Sequence, residues 1–122
     1  MKRLAILWLA IVAAGCGGDT VPGVPCPAIA AAGLDVGVAN AQTGQLICDA
    51  MVTVSEGTYS ERLAQLSCRY AGLFERPGTY AVRAEKPGFL DGTVSNIRIT
   101  MGTGPCPHVQ TVRVEVGLTP AP

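Results

Sequence analysis

The chain has 122 residues, with nine Lys and Arg against nine Asp and Glu, so it lacks the basic surplus that nucleic-acid binding requires. Arg62, Arg69, Arg76, Arg83, Arg98 and Arg113 are scattered among acids rather than gathered in a stripe, which excludes nucleic acid as a partner. The length suits one domain with a modest core and is too short for two.

Lys2 and Arg3 open the chain, an apolar stretch follows from Leu4 to Ala14, and the small pair Ala14 and Gly15 precedes Cys16. The apolar stretch is about half the roughly 20 residues that a membrane-spanning helix needs. A positive start, a short apolar run and small residues at its end form the pattern of a secretory signal. With a cysteine directly after the small pair, the segment resembles a bacterial lipoprotein processing site. That resemblance implies a signal peptide over residues 1–15, acylation of Cys16, and attachment to membrane lipid through that residue. Buried acyl chains contribute about 0.8 kcal/mol per methylene, so two or three of them hold a protein on a bilayer without any helix. Gly17, rather than Asp, follows the cysteine. By the sorting pattern of such lipoproteins, this favours the outer membrane of the cell envelope over the inner one. Trp8, the one tryptophan, would leave with the signal.

Residues 16–32 form a tether, densest in Gly and Pro from Gly17 to Pro27, where neither helical nor strand periodicity survives. Cysteines 26, 48, 68 and 106 remain besides Cys16. An even number in a small exported chain implies two disulfides, because the compartment is oxidising and a small core benefits from cross-links. Three pairings are open. Cys26 and Cys106 share a Pro-Cys-Pro context and Cys48 and Cys68 bracket the middle, which favours Cys26 with Cys106 and Cys48 with Cys68.

From Leu34 the pattern becomes β-like. Leu34, Val36 and Val38 alternate with Asp35 and Gly37, Ala41 to Gln45 supplies a turn, and Ala50, Val52 and Val54 line one face of a second strand, which predicts a hairpin. In the stretch from Thr58 to Phe74, Leu63, Leu66 and Tyr70 recur at roughly helical spacing, but an irregular edge strand is the preferred reading. Arg76, Pro77 and Gly78 form a turn into a strand in which Tyr80, Val82 and Ala84 share a face, ended by the turn Lys86, Pro87, Gly88. Phe89 to Met101 is β-rich, and its apolar parity changes across Asn96, which calls for a bulge. After a loop from Gly102 to Pro107, Val112, Val114, Val116 and Leu118 against Arg113 and Glu115 make a clearly amphipathic strand, and 119–122 is a frayed tail. Short strands between Gly and Pro turns predict an all-β fold, an antiparallel β-sandwich of about seven strands over residues 33–118.

The stretch from Val36 to Val54, an alternating strand, a Thr-Gly turn and then Ala-x-Val, is similar to the opening of carboxypeptidase regulatory-like domains. Pro77 to Phe89, a Gly-x-Tyr strand followed by a Pro-Gly-aromatic turn, resembles a second element of that family. The resemblance implies a transthyretin-like, prealbumin-like sandwich used as an accessory module, with Tyr80 and Phe89 plugging the core. It implies no activity, since fold does not carry function with it.

The residues offer few chemical constellations. Cys106 and His108 with Cys48 and Cys68 could supply tetrahedral zinc ligands, but there is no Cys-x-x-Cys pair and exported thiols oxidise, so disulfides are preferred and no metal or other cofactor is expected. A Cys-His nucleophile would need a reduced thiol and an orienting partner. Asp35, Asp49, Glu56, Glu75 and Asp91 fall mostly at turns, where carboxylates cap and solvate backbone. The expectation is therefore a non-enzymatic, lipid-anchored structural or interaction module of the cell envelope, with no catalytic residue. The alternative is a binder of envelope glycans or peptides through the 57–75 segment, with Tyr59, Tyr70 and Phe74 as the ligand surface and an envelope protein or glycan as partner.

Overall fold

The computed structural model describes Cys26 and residues 28–122; Cys16 and most of the tether lie outside the described residues. Eight strands follow in order: β1 (Leu34–Asn40), β2 (Met51–Glu56), β3 (Tyr59–Arg62), β4 (Ala64–Leu66), β5 (Arg69–Gly72), β6 (Gly78–Glu85), β7 (Gly92–Ile99) and β8 (Val112–Leu118). They form two four-stranded sheets, ordered β4-β5-β1-β8 and β3-β2-β6-β7. The alternation read along β1, β2 and β6 sets the inner faces. Leu34, Val36 and Val38 meet Val52, Val54, Tyr80, Val82 and Ala84 in one shared core. The all-β sandwich is therefore present and largely antiparallel.

Four features depart from the sequence reading. First, β1 and β8 are parallel, in register from Leu34 opposite Val112 to Asn40 opposite Leu118. The cause is the route of the chain: β7 ends at the side where β1 begins, and the 100–111 loop stays there, so β8 starts beside the start of β1. Second, eight strands replace about seven, because the segment over 59–72 divides into three. Leu63 is buried, donates its N–H to the Val52 carbonyl at 2.9 Å, and marks the corner where the chain leaves one sheet for the other.

Third, β1 and β2 form no hairpin with each other; they belong to different sheets. The returning chain pairs with β1 only briefly, through the Ala39–Leu46 bridge and a 2.8 Å bond from the Ile47 N–H to the Val38 carbonyl. It then turns across the core. Tyr70, 1% exposed, fixes that corner: its hydroxyl donates to the Ile47 carbonyl and accepts the Ala50 N–H, both at 2.9 Å. Fourth, the C-terminal residues are tied down rather than frayed. Phe89 bridges Pro120, the Leu90 N–H bonds the Thr119 carbonyl, and the Ala121 N–H bonds the Gly88 carbonyl.

The bulge in β7 is present. Tyr80 faces Ile97 and Val82 faces Val94, which leaves Ser95 and Asn96 opposite Ala81. Asn96 takes φ 59°, a left-handed conformation that asparagine tolerates better than most residues. The extra residue returns Ile97 and Ile99 to the buried face.

The sandwich has two distinct ends. The near end gathers Ala31, the start of β1, the end of β5 and the 100–111 loop; the far end gathers the end of β1, the end of β8, Pro120 and the β6–β7 turn. That turn follows its sequence closely. Pro87 and Gly88 occupy its centre, Gly88 has φ 87°, and the Phe89 N–H bonds the Lys86 carbonyl at 3.0 Å, as a type II turn with glycine third requires.

Candidate functional site

Cys26 is bonded to Cys106 and Cys48 to Cys68, with Cα separations of 5.3 and 4.4 Å. These four sulfurs are thus committed to each other and offer no thiolate to a metal or a substrate. Cys16, the expected acylation site, lies outside the described residues.

The three aromatic residues expected to form a ligand surface do not do so together. Tyr70 is withdrawn, since its ring is in the core and its hydroxyl is used by the backbone. Tyr59 is half-buried, and the Arg76 guanidinium sits 3.6 Å from its ring centroid, so the face that would stack on a sugar is covered. Its hydroxyl donates to Glu61 at 2.6 Å, and this carboxylate holds the phenol pKa above its ordinary value. Phe74 is 51% exposed. The helical-looking spacing of Leu63, Leu66 and Tyr70 concealed their separate places: a corner, an exposed edge and the core.

At the near end, Glu75 is the organising carboxylate. Its Oε1 accepts the Ala31 N–H at 2.7 Å and meets Nδ1 of His108 at 2.5 Å, while Oε2 accepts the Val109 N–H at 3.2 Å. The Glu75 N–H returns a bond to the Ala31 carbonyl, and the Thr111 hydroxyl bonds the Ala32 carbonyl. The folded unit therefore reaches back past residue 33 to Cys26. The Ala31 N–H, followed by the His108 ring, holds the Glu75 carboxyl below its ordinary value of 4.5. A carboxylate with a depressed folded pKa stabilises the fold above the unfolded pKa, and this contribution is lost as pH falls through the folded value. Glu56, bonded by the Thr79 N–H and Arg76, and Asp49, bonded by Lys86, have the same sign. We expect urea midpoints to fall as pH drops below about 5, and Glu75→Gln to reduce that slope. An unchanged slope in the variant would show that Glu75 is not one of the responsible groups.

At the far end, Asp49, Met51, Arg62, Glu85, Lys86, Pro87, Phe89 and Asp91 line an open cleft of about 420 Å³. Its walls come from the start of β2, the end of β3, the end of β6 and the turn that follows. Lys86 pairs with Asp49, and Arg83, on the outer face of β6, pairs with both Glu85 and Asp91. Arg62 has no carboxylate partner among the described residues. Met51, 38% exposed, supplies apolar lining to the cleft together with Pro87 and Phe89. The sequence signal for this site was the turn from Lys86 to Phe89. What could not be seen was that β2 and β3 bring Asp49, Met51 and Arg62 beside it.

No protein-family model matches the chain. No curated protein matches it either.

Proposed function

We propose that the chain is a lipid-anchored cell-envelope protein whose sandwich is a non-enzymatic structural or interaction module. The observation that carries this reading is the opposition of the two ends. The N-terminal chain enters at the near end, where Cys26 is bonded to Cys106 and Ala31 is clasped by Glu75, while the cleft opens at the far end. A domain held through Cys16 would carry mechanical load through a covalent bond and a hydrogen-bonded clasp, without peeling β1, and would present its cleft away from the membrane. Gly17 after Cys16 favours the outer membrane.

We further propose that the sandwich is transthyretin-like, of the carboxypeptidase regulatory-like kind. Val36 to Val54 holds most of β1, the sheet-to-sheet corner and the start of β2; Pro77 to Phe89 holds β6 and the glycine turn that follows it. These placements support a transthyretin-like, carboxypeptidase regulatory-like domain. The cleft favours the ligand-binding reading as the second one, with the contact moved from Tyr59, Tyr70 and Phe74 to the far end. Arg62 is the member of the 57–75 segment that lines this cleft.

Acyl labelling and membrane fractionation of Cys16→Ala test the anchor. Loss of label and a shift to the soluble fraction are expected. Continued labelling would rule out Cys16 as the acceptor.

A further inference from the structure

We propose that the far-end cleft binds a short zwitterionic peptide of about dipeptide size, with its carboxylate on Arg62 and an apolar side chain over Met51 and Phe89. The proposal deepens the interaction-module reading and rests on it, though not on acylation of Cys16.

The charges of the cleft select the ligand. Lys86 and Asp49 neutralise each other, while Glu85 and Asp91 share the single guanidinium of Arg83. Among the described residues, Arg62 is then the cation of the cleft without a carboxylate partner, and negative charge is in excess on the Arg83 side. A multiply charged anion such as a phosphate monoester would meet Arg62 but be repelled by the three neighbouring carboxylates. A ligand with one carboxylate and one ammonium satisfies both sides: the carboxylate takes the planar donors of Arg62, and the ammonium lies toward Glu85 and Asp91.

The apolar lining adds a second requirement. Met51 leaves over a third of its surface exposed and lines the same cleft as Pro87 and a half-buried Phe89. Methionine adapts to varied apolar partners, so a cleft lined by Met51, Pro87 and Phe89 suits an aliphatic or aromatic side chain. A volume of about 420 Å³ lies within the range of small-molecule sites and suits one or two residues. Stacking of a sugar ring is less well served, since Phe89, the aromatic residue of the cleft lining, is half-buried.

The test is a titration of the purified protein with leucyl-leucine, read from the Met51 methyl resonance. Saturable shifts are expected at millimolar concentration. C-terminal amidation of the peptide, or Arg62→Gln in the protein, should each weaken binding by roughly tenfold or more, because each removes a charge-assisted pair. N-acetylation should weaken it as well. Arg98→Gln, at a cation on β7 that also lacks a carboxylate partner among the described residues, should leave binding unchanged. Arg62 is exposed, so its variant should keep the parent spectrum away from the cleft. Absence of saturable shifts up to about 10 mM, or equal binding by the amidated peptide and by Arg62→Gln, would overturn the proposal. The readout needs no membrane, so it is independent of the fate of Cys16.

Discussion

Replacing Tyr70 by phenylalanine is expected to lower folding stability by about 2–3 kcal/mol, although the substitution removes a single oxygen atom. That oxygen satisfies two backbone groups at the corner between the sheets, the Ile47 carbonyl and the Ala50 N–H. Ile47 is 8% exposed and Ala50 7%, so water has little access to either group once the hydroxyl is gone. The ring would still fill its place, which separates the hydrogen-bond loss from any cavity. An unsatisfied buried polar group costs about 1–3 kcal/mol, and the variant leaves two with reduced partners. In a domain of this size each kcal/mol moves the thermal midpoint by roughly 4–8 °C, so a fall on the order of 10 °C or more should be visible. The measurement is urea unfolding of the two proteins at neutral pH. A difference below about 0.5 kcal/mol would mean that the corner is not held by this hydroxyl.

The second large effect concerns the near end. Changing both Cys26 and Cys106 to serine opens a cross-link with a sequence separation of 80, whereas the Cys48–Cys68 link has a separation of 20. In the chain-entropy description the longer loop contributes about 4.5 kcal/mol and the shorter about 3.3 kcal/mol, so the near-end pair should be the more costly to remove. Part of the native order there survives without the disulfide, because Glu75 still holds Ala31 and Val109. Removing the bond and the carboxylate together should therefore cost more than the sum of the separate changes, since each alone leaves the other to hold the segment. Denaturant unfolding of the two single changes and the combination reads this directly. Simple additivity would show that the disulfide and the Glu75 clasp act independently.

The inner faces were legible in the sequence wherever alternation was strict. Leu34, Val36 and Val38, then Ala50, Val52 and Val54, and Tyr80, Val82 and Ala84 are all buried, because period-two patterning fixes which side of a strand meets the core. The parity break at Asn96 was legible for the same reason. What was not legible was which strands share a sheet. A turn at Ala41 to Gln45 is compatible with a two-stranded hairpin, but β2 pairs with β3 and β6 instead, and the corner after Ile47 is held by the Tyr70 hydroxyl, 20 or more residues away. The segment over 59–72 was opaque because its apolar residues serve different purposes: Leu63 turns a corner, Leu66 is exposed, and Tyr70 enters the core. Local periodicity carries no record of such long-range choices.

The same limit applies to the cleft. Lys86, Pro87, Gly88 and Phe89 announce a turn in the sequence, and Asp49 and Asp91 read as turn carboxylates. Their convergence with Met51 and Arg62 depends on β2 lying between β3 and β6, a pairing that no local motif encodes. Glu75 is the opposite case. It was expected to serve a turn, and it does bond backbone, but across the tether and the 100–111 loop rather than within one turn.

Mass spectrometry of the N-terminal peptide, from protein extracted out of its native membranes, decides whether the sandwich is tethered through Cys16. The expected result is a mature chain that begins at Cys16, with that residue carrying acyl chains while cysteines 26, 48, 68 and 106 resist alkylation until reduced. A chain that retains residues 1–15, or an unmodified Cys16, would rule the lipid tether out.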